Sequence, residues 1–206
     1  MTRPPATRDR RYGGWGVGLR RSRRACRGLA ALAVGLWALG ALPVEAASHF
    51  ANSLGLQMAK EPVEAPAFTL RDLAGKKVAL EEYRGKLVFL NFFATWCAPC
   101  RQEMPAMERL YRSYRDKGLL LLALNVRETA REVRPFVQEL ALSFPVLLDA
   151  DGLVAYKYTV RGLPATYLIG RDGQMLWRAL GPREWDGPDA RAYFTQVLAR
   201  IAHEKP

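Results

Sequence analysis

The residues whose types and spacing could do chemistry stand together at Trp96-Cys97-Ala98-Pro99-Cys100. Two cysteines three positions apart, directly after an apolar run and at the opening of an amphipathic one, are placed for thiol-disulfide exchange. The attacking species in that reaction is a thiolate. A helix start favours one, because its unpaired N–H groups and the positive end of its macrodipole face the sulfur. On this reading Cys97 attacks, and Cys100, one turn further in, resolves the mixed disulfide by closing the Cys97–Cys100 bond. Pro99 suits the first turn, where its missing N–H has no intrahelical partner to lose.

Three plainer readings compete. A structural disulfide across so short a loop restrains the unfolded chain very little. A zinc site wants four ligands, and the only histidines, His49 and His203, fall near the two ends of the domain. Two inert buried thiols are the third, and the strand-then-helix context speaks against all three. Further along the same helix, Glu103 falls close to Met107, Leu110 and Tyr114 at 100° per residue, in the middle of the apolar stripe. An acid there is unexpected, unless Pro105 kinks the helix and turns Glu103 outward as an ordinary first-turn acid.

The elements that must position these residues can be read from periodicity. Leu87 to Phe93 and Leu119 to Val126 are apolar on both faces, as central strands covered on both sides require. Between them a helix is predicted from about Pro99 to Lys117, with Arg101, Glu108, Arg112 and Arg115 on its polar side. A second helix begins at the capping box Thr129-Ala130-Arg131-Glu132 and carries Val133, Phe136, Val137 and Leu140 on one face. Short apolar segments follow at 145–148, 165–169 and 174–180, the last two joined by the hairpin signal Arg171-Asp172-Gly173. A closing helix starts at Pro188, with Phe194, Val197, Leu198 and Ile201 inward. Upstream, 68–70 and 77–80 flank a turn at Asp72 to Gly75 and form an entrance β-hairpin. The order implies an α/β fold, a mixed central sheet with helices on both faces.

The N-terminus is of another kind. Residues 1–27 hold nine Arg and one acid, Asp9, and fifteen apolar or Gly residues follow from Gly28 to Leu42. With the Ala-rich exit near 44–48, residues 1–47 read as a signal peptide or a signal anchor, which puts the domain in the periplasm or cell envelope. Arginine pairs leave Sec and twin-arginine export both open. Cys26 is incidental to this leader. Residues 48–64 read as a linker with Pro62, and 65–206 as one domain. Removing residues 1–46 takes away nine of the 31 Lys/Arg and two of the 20 Asp/Glu, so the net charge falls from +11 to +4. The basic excess is mostly leader, and no nucleic-acid partner is expected.

The segments LVFLNFFATWCAPCRQEMP, NVRETAREVRPFVQELALSFPVLLD and RGLPATYLIGRDGQ closely resemble the TlpA/ResA-like branch of the thioredoxin superfamily, over about Ala65 to Ala202. The resemblance implies a thioredoxin-like fold and a thiol-disulfide oxidoreductase of exported proteins. Such enzymes often reduce the haem-binding cysteines of apocytochrome c during cytochrome c maturation, with electrons from a membrane thiol donor. It implies no cofactor beyond the Cys97–Cys100 pair. It also makes Pro164, in Leu163-Pro164-Ala165-Thr166, a cis-proline beside the cysteines, against the low frequency of cis X–Pro bonds. Backbone groups there would be free to pair with an incoming peptide. Thioredoxin has a buried proton-transferring acid where this chain has Asn91, which cannot titrate. The branch has a glutamate at the position of Glu103, and burial would let it hold or pass the proton of Cys100.

Glu128 resembles a further acidic position of the branch, and reads equally well as an exposed loop acid. Trp96 reads chiefly as packing around Cys97, with a lesser part in substrate contact alongside Pro99, Leu163 and Pro164. The alternatives from other classes are a copper chaperone of related fold, which would want a histidine near the cysteines, and a redox-regulated binding module without turnover.

Overall fold

A computed structural model of the chain describes residues 50–203; the leader with its signal peptide or signal anchor reading lies outside them. The strands form one eight-stranded mixed sheet in the order β1-β8-β7-β4-β5-β6-β2-β3. At its centre β4 (Leu87–Phe93) pairs in parallel with β5 (Leu119–Val126) and antiparallel with β7 (Ala165–Ile169). β5 continues in parallel to β6 (Val146–Asp149), and β7 turns back into β8 (Met175–Leu180). These central strands bury nearly every residue, which is why the sequence shows continuous apolar runs there.

The two faces of the sheet carry separate cores, and the period-2 alternation of β4 divides its side chains between them. Phe89 and Phe93 join one core with the long helix α1 (Ala98–Tyr114), with α2 (Ala130–Glu139) and with the terminal helix α4 (Pro188–His203). Val88, Leu90 and Phe92 join the other, with Phe68, Tyr158, and Val154 and Ala155 of a short helix α3 (Leu153–Lys157). Asn91 shares the Phe89 and Phe93 side by alternation, so its amide points toward α1. The predicted helix over 99–117 appears as α1 followed by a 3-10 turn, Arg115–Lys117. Thr129 caps α2 through the expected box with Glu132, whose Oε2 accepts from Thr129 N and Oγ1, each at 2.7 Å.

The entrance hairpin is present as β2 (Thr69–Asp72) and β3 (Lys77–Ala79). Asp72 Oδ1 accepts from Ala74 N and Lys76 N across its turn, with Gly75 at φ +87°. β2 also pairs with β6, so the hairpin lengthens the sheet.

The linker expected over 48–64 is corrected from residue 50 onward. Residues 50–53 make a helical turn, Ala51, Leu54 and Leu56 are buried in the α1 and α4 core, and β1 (Gln57–Met58) pairs with β8. Scattered apolar residues without a period gave no sign of this. β1 also covers the edge that β8 would otherwise leave open.

Candidate active site

β4 aims the chain at the site. After Phe93 a tight turn, closed by Cys97 N donating to Ala94 O at 3.2 Å, delivers Cys97 as the N-cap of α1 in an extended conformation. Its Sγ accepts from Cys100 N at 3.3 Å, one of the donors that a helix start leaves free. Cys97 and Cys100 are joined as a disulfide, Cys97 5 % exposed and Cys100 fully buried. Pro99 sits in the first turn as expected.

Glu103 lies one turn below Cys100 and is 3 % exposed; α1 runs on through Pro105 and keeps the side chain inward. Its Oε1 accepts from Asn91 Nδ2 at 3.0 Å, and its Oε2 from Trp185 Nε1 at 3.0 Å and Arg183 N at 3.1 Å. Burial pushes the carboxyl up to about 7, and these donors, together with the nearby Arg183 charge, hold it from rising further. Asn91 Nδ2 also donates to Thr166 Oγ1 at 3.0 Å, while Asn91 Oδ1 is buried with no partner among the described residues.

Glu128, read from sequence equally as an acid of the branch and as an exposed loop acid, is buried. It accepts from Thr95 N at 2.7 Å, from Thr95 Oγ1, and from Asn125 Nδ2 at 2.6 Å, and so pins the turn that carries Trp96 and Cys97. Trp96 is not packed in: it is 73 % exposed and forms a wall of a cleft of about 670 Å³ together with Cys97, Pro99 and Leu163. The Leu163–Pro164 bond is cis, and Pro164 is buried, its carbonyl accepting from Gly181 N at 2.9 Å. The expected site residues thus divide into cleft residues, Trp96, Cys97, Pro99 and Leu163, and buried ones, Cys100, Glu103 and Pro164.

Trp185 and Arg183 were not singled out by sequence reasoning. The one available signal was a tryptophan inside the otherwise polar loop Gly181-Pro182-Arg183-Glu184-Trp185. Trp185 is fully buried, edge-on to Phe89 at 4.9 Å and stacked on Trp177 at 6.0 Å between ring centroids. Arg183 also ties in the N-terminal segment, donating from Nε to Leu54 O at 2.6 Å. Among the described residues no group of three or more His, Cys, Asp or Glu could hold a metal ion.

The model of the AhpC/TSA family matches residues 63–178. Curated relatives include the thiol-disulfide oxidoreductase ResA of Bacillus thuringiensis subsp. konkukian, 45 % identical over 138 residues, covering 67 % of this chain and 76 % of the relative. ResA of Bacillus subtilis is 39 % identical over 122 residues, 59 % of this chain and 68 % of the relative. Among solved structures, a protein from Chlorobium tepidum described as a putative thiol:disulfide interchange protein DsbE aligns with a TM-score of 0.61 at 32 % identity, over 69 % of this chain and 98 % of the other. A paired CxxC at a helix start on a thioredoxin-like sheet, with relatives of this kind, places the chain in the AhpC/TSA family of the thioredoxin superfamily, among the ResA-like thiol-disulfide oxidoreductases.

Proposed function

We propose that the chain is an extracytoplasmic reductase of disulfides in exported proteins, with apocytochrome c as a client, working through Cys97 and Cys100 with no further cofactor. The basic, then apolar, leader supports export, and the TlpA/ResA resemblance supports the client class. In the reduced protein the Cys97 thiolate attacks one sulfur of the client disulfide. That S–S bond breaks, and the second client sulfur leaves as a thiolate that takes up a proton. Cys100, having given its proton toward Glu103, then attacks Cys97 Sγ, forms the Cys97–Cys100 bond and releases the first client sulfur as a thiolate. Two electrons have passed to the client, and a membrane thiol donor restores the dithiol.

The observation that carries this reading is the neutral-donor cage around Glu103, one turn below the resolving cysteine. A carboxyl with a pKa of about 7 can take and return a proton at physiological pH, which an ordinary surface acid cannot. Asn91 serves both forms: its amide donates to the carboxylate, and turned over, its unpartnered Oδ1 accepts from the protonated acid. Pro99 and Leu163 line the cleft at the attacking sulfur of Cys97 as client contacts, and Pro164 holds the adjoining loop.

The test is Cys100→Ala, which should accumulate client proteins in mixed disulfide with Cys97; no adduct under any redox condition refutes the reading. The potential of the couple tests its direction. A value toward the reducing end of the roughly −270 to −120 mV range of such motifs supports a reductase, and one at the oxidising end overturns it.

A further inference from the structure

The cleft beside Cys97 has a charge character that the exchange reaction itself does not require. Its apolar walls come from Trp96, Tyr156, Val160 and Leu163, and its only charged lining residues are Arg127 and Arg161, with no acid among them. Trp96 and Tyr156 are 73 % and 81 % exposed, so two aromatic side chains stand open to solvent in the same cleft as the two arginines.

Several arginines elsewhere in the domain are tied: Arg84 to Glu64, Arg101 to Glu139, Arg112 to Glu108. Arg127 and Arg161 are exposed, and among the described residues neither side chain forms an ion pair or a hydrogen bond. The backbone also sets Arg127 in place. It adopts φ +62°, uncommon for a residue with a side chain, while its N–H donates to Asp149 O at 3.0 Å. This left-handed step sends Glu128 back under Thr95 and leaves Arg127 on the cleft side. There its Nε lies 2.7 Å from where a Cβ on Gly152 would be, so the absent side chain of Gly152 makes room for it.

We propose that this cleft selects client chains that carry a carboxylate close to the disulfide, with Arg127 and Arg161 as the residues that read that charge. The inference rests on the reading of Cys97 as the attacking sulfur. Aromatic walls grip the client backbone and apolar side chains without regard to sequence. Two cations lining one cleft raise the local concentration of acidic segments and oppose basic ones. The occupant that fits is an extended polypeptide with Asp or Glu flanking its cysteine, docked across the mouth of the site.

The test uses short peptides with an internal disulfide, identical except for Glu, Gln or Lys at the flanking positions. Each is mixed with the reduced protein, and oxidation of Cys97 and Cys100 is followed by acid quench and mass spectrometry. The expected order is Glu, then Gln, then Lys, with a Glu-over-Gln rate ratio of roughly three- to tenfold at low salt. The ratio should shrink toward one in about 1 M salt, where the Debye length is near 3 Å. Arg127→Gln and Arg161→Gln should each lower the ratio, and Arg161→Glu should turn the preference toward Lys. Lys117→Gln removes the same charge in the 3-10 turn that follows α1 and should leave the ratio as it was. A low-salt ratio of one in the unaltered protein overturns the proposal, as does a ratio that survives loss of both arginines. If no peptide is reduced at all, the reductase reading itself falls, an outcome distinct from reduction without charge preference.

Discussion

Glu103 and Glu108 sit five residues apart on the same helix, both buried, and their carboxyls move in opposite directions. At Glu103 burial dominates and lifts the pKa to about 7, outweighing the hydrogen bonds from the Arg183 backbone N–H, the Trp185 indole and the Asn91 amide and the nearby Arg183 charge. At Glu108 burial also pushes upward but is outweighed. Ser143 donates from its N at 2.8 Å and its Oγ at 2.6 Å, Arg112 Nε lies at 2.5 Å, and the carboxyl ends below its ordinary value. Heavier desolvation at Glu103, and at Glu108 the two Ser143 donors ahead of Arg112, set the two apart. Glu108 is a tie between α1 and the segment leading into β6 that keeps its charge more readily than a free glutamate, whereas Glu103 is left able to change charge where the chemistry needs it.

The strongest way to break this contrast is the pH dependence of stability. The folded protein holds the Glu103 proton more tightly than the unfolded chain does, so its stabilising effect is complete below the ordinary pKa of 4.5 and is lost as pH rises through about 7. That loss is about 3 kcal/mol. Glu108 has the opposite sign: its contribution is present above 4.5 and is lost as pH falls through its lowered folded value. Denaturant melts of the oxidised protein across this range should therefore weaken between pH 4.5 and 7, and Glu103→Gln should flatten that decline. An unchanged decline in the variant would show that some other group is responsible.

On the reaction, Glu103→Gln should slow disulfide exchange at neutral pH by about 100-fold and remove an inflection near pH 7 from the rate profile. A slowed enzyme that kept its inflection would assign the titration elsewhere.

Much of the frame of this contrast was legible in the sequence. The apolar runs of β4 and β5, the helix between them and the capping box of α2 follow from local pattern, and the Cys97–Cys100 chemistry from spacing and context. The inward face of α1 placed Glu103 correctly because its neighbours one and two turns on are apolar. The same wheel put Glu108 on the polar side with Arg112, and there it misled. Glu108 is covered by Ser143, which is 35 residues away along the chain, and no helical period records that. The partners of Glu103 are as distant, Trp185 by 82 residues and Arg183 by 80. α3, only five residues long, was too short to show a period at all.

A smaller effect should come from Glu108→Ala. The change returns the donors of the exposed Ser143 to water and leaves a small void on α1, which should cost about 1 kcal/mol in denaturant unfolding and leave the exchange rate within about twofold. A large loss of rate in a folded variant would mean that Glu108 takes part in the chemistry and that the contrast drawn here is false.

The finest probe is Trp185→Phe, because it removes one neutral donor from Glu103 and keeps a ring against Phe89 and Trp177. The indole N–H favours the charged carboxylate, so its loss must raise the Glu103 pKa above about 7. One such hydrogen bond is worth about 1 kcal/mol, which corresponds to somewhat less than one pH unit. The inflection of the exchange rate should move to more alkaline pH by that amount. Arg183→Ala keeps the backbone donor at Glu103 Oε2 and removes a more distant charge together with the bond to Leu54 O, so its shift should have the same sign and be smaller. If the two variants shifted the inflection in the reverse order, the neighbouring charge rather than the neutral cage would be what sets Glu103.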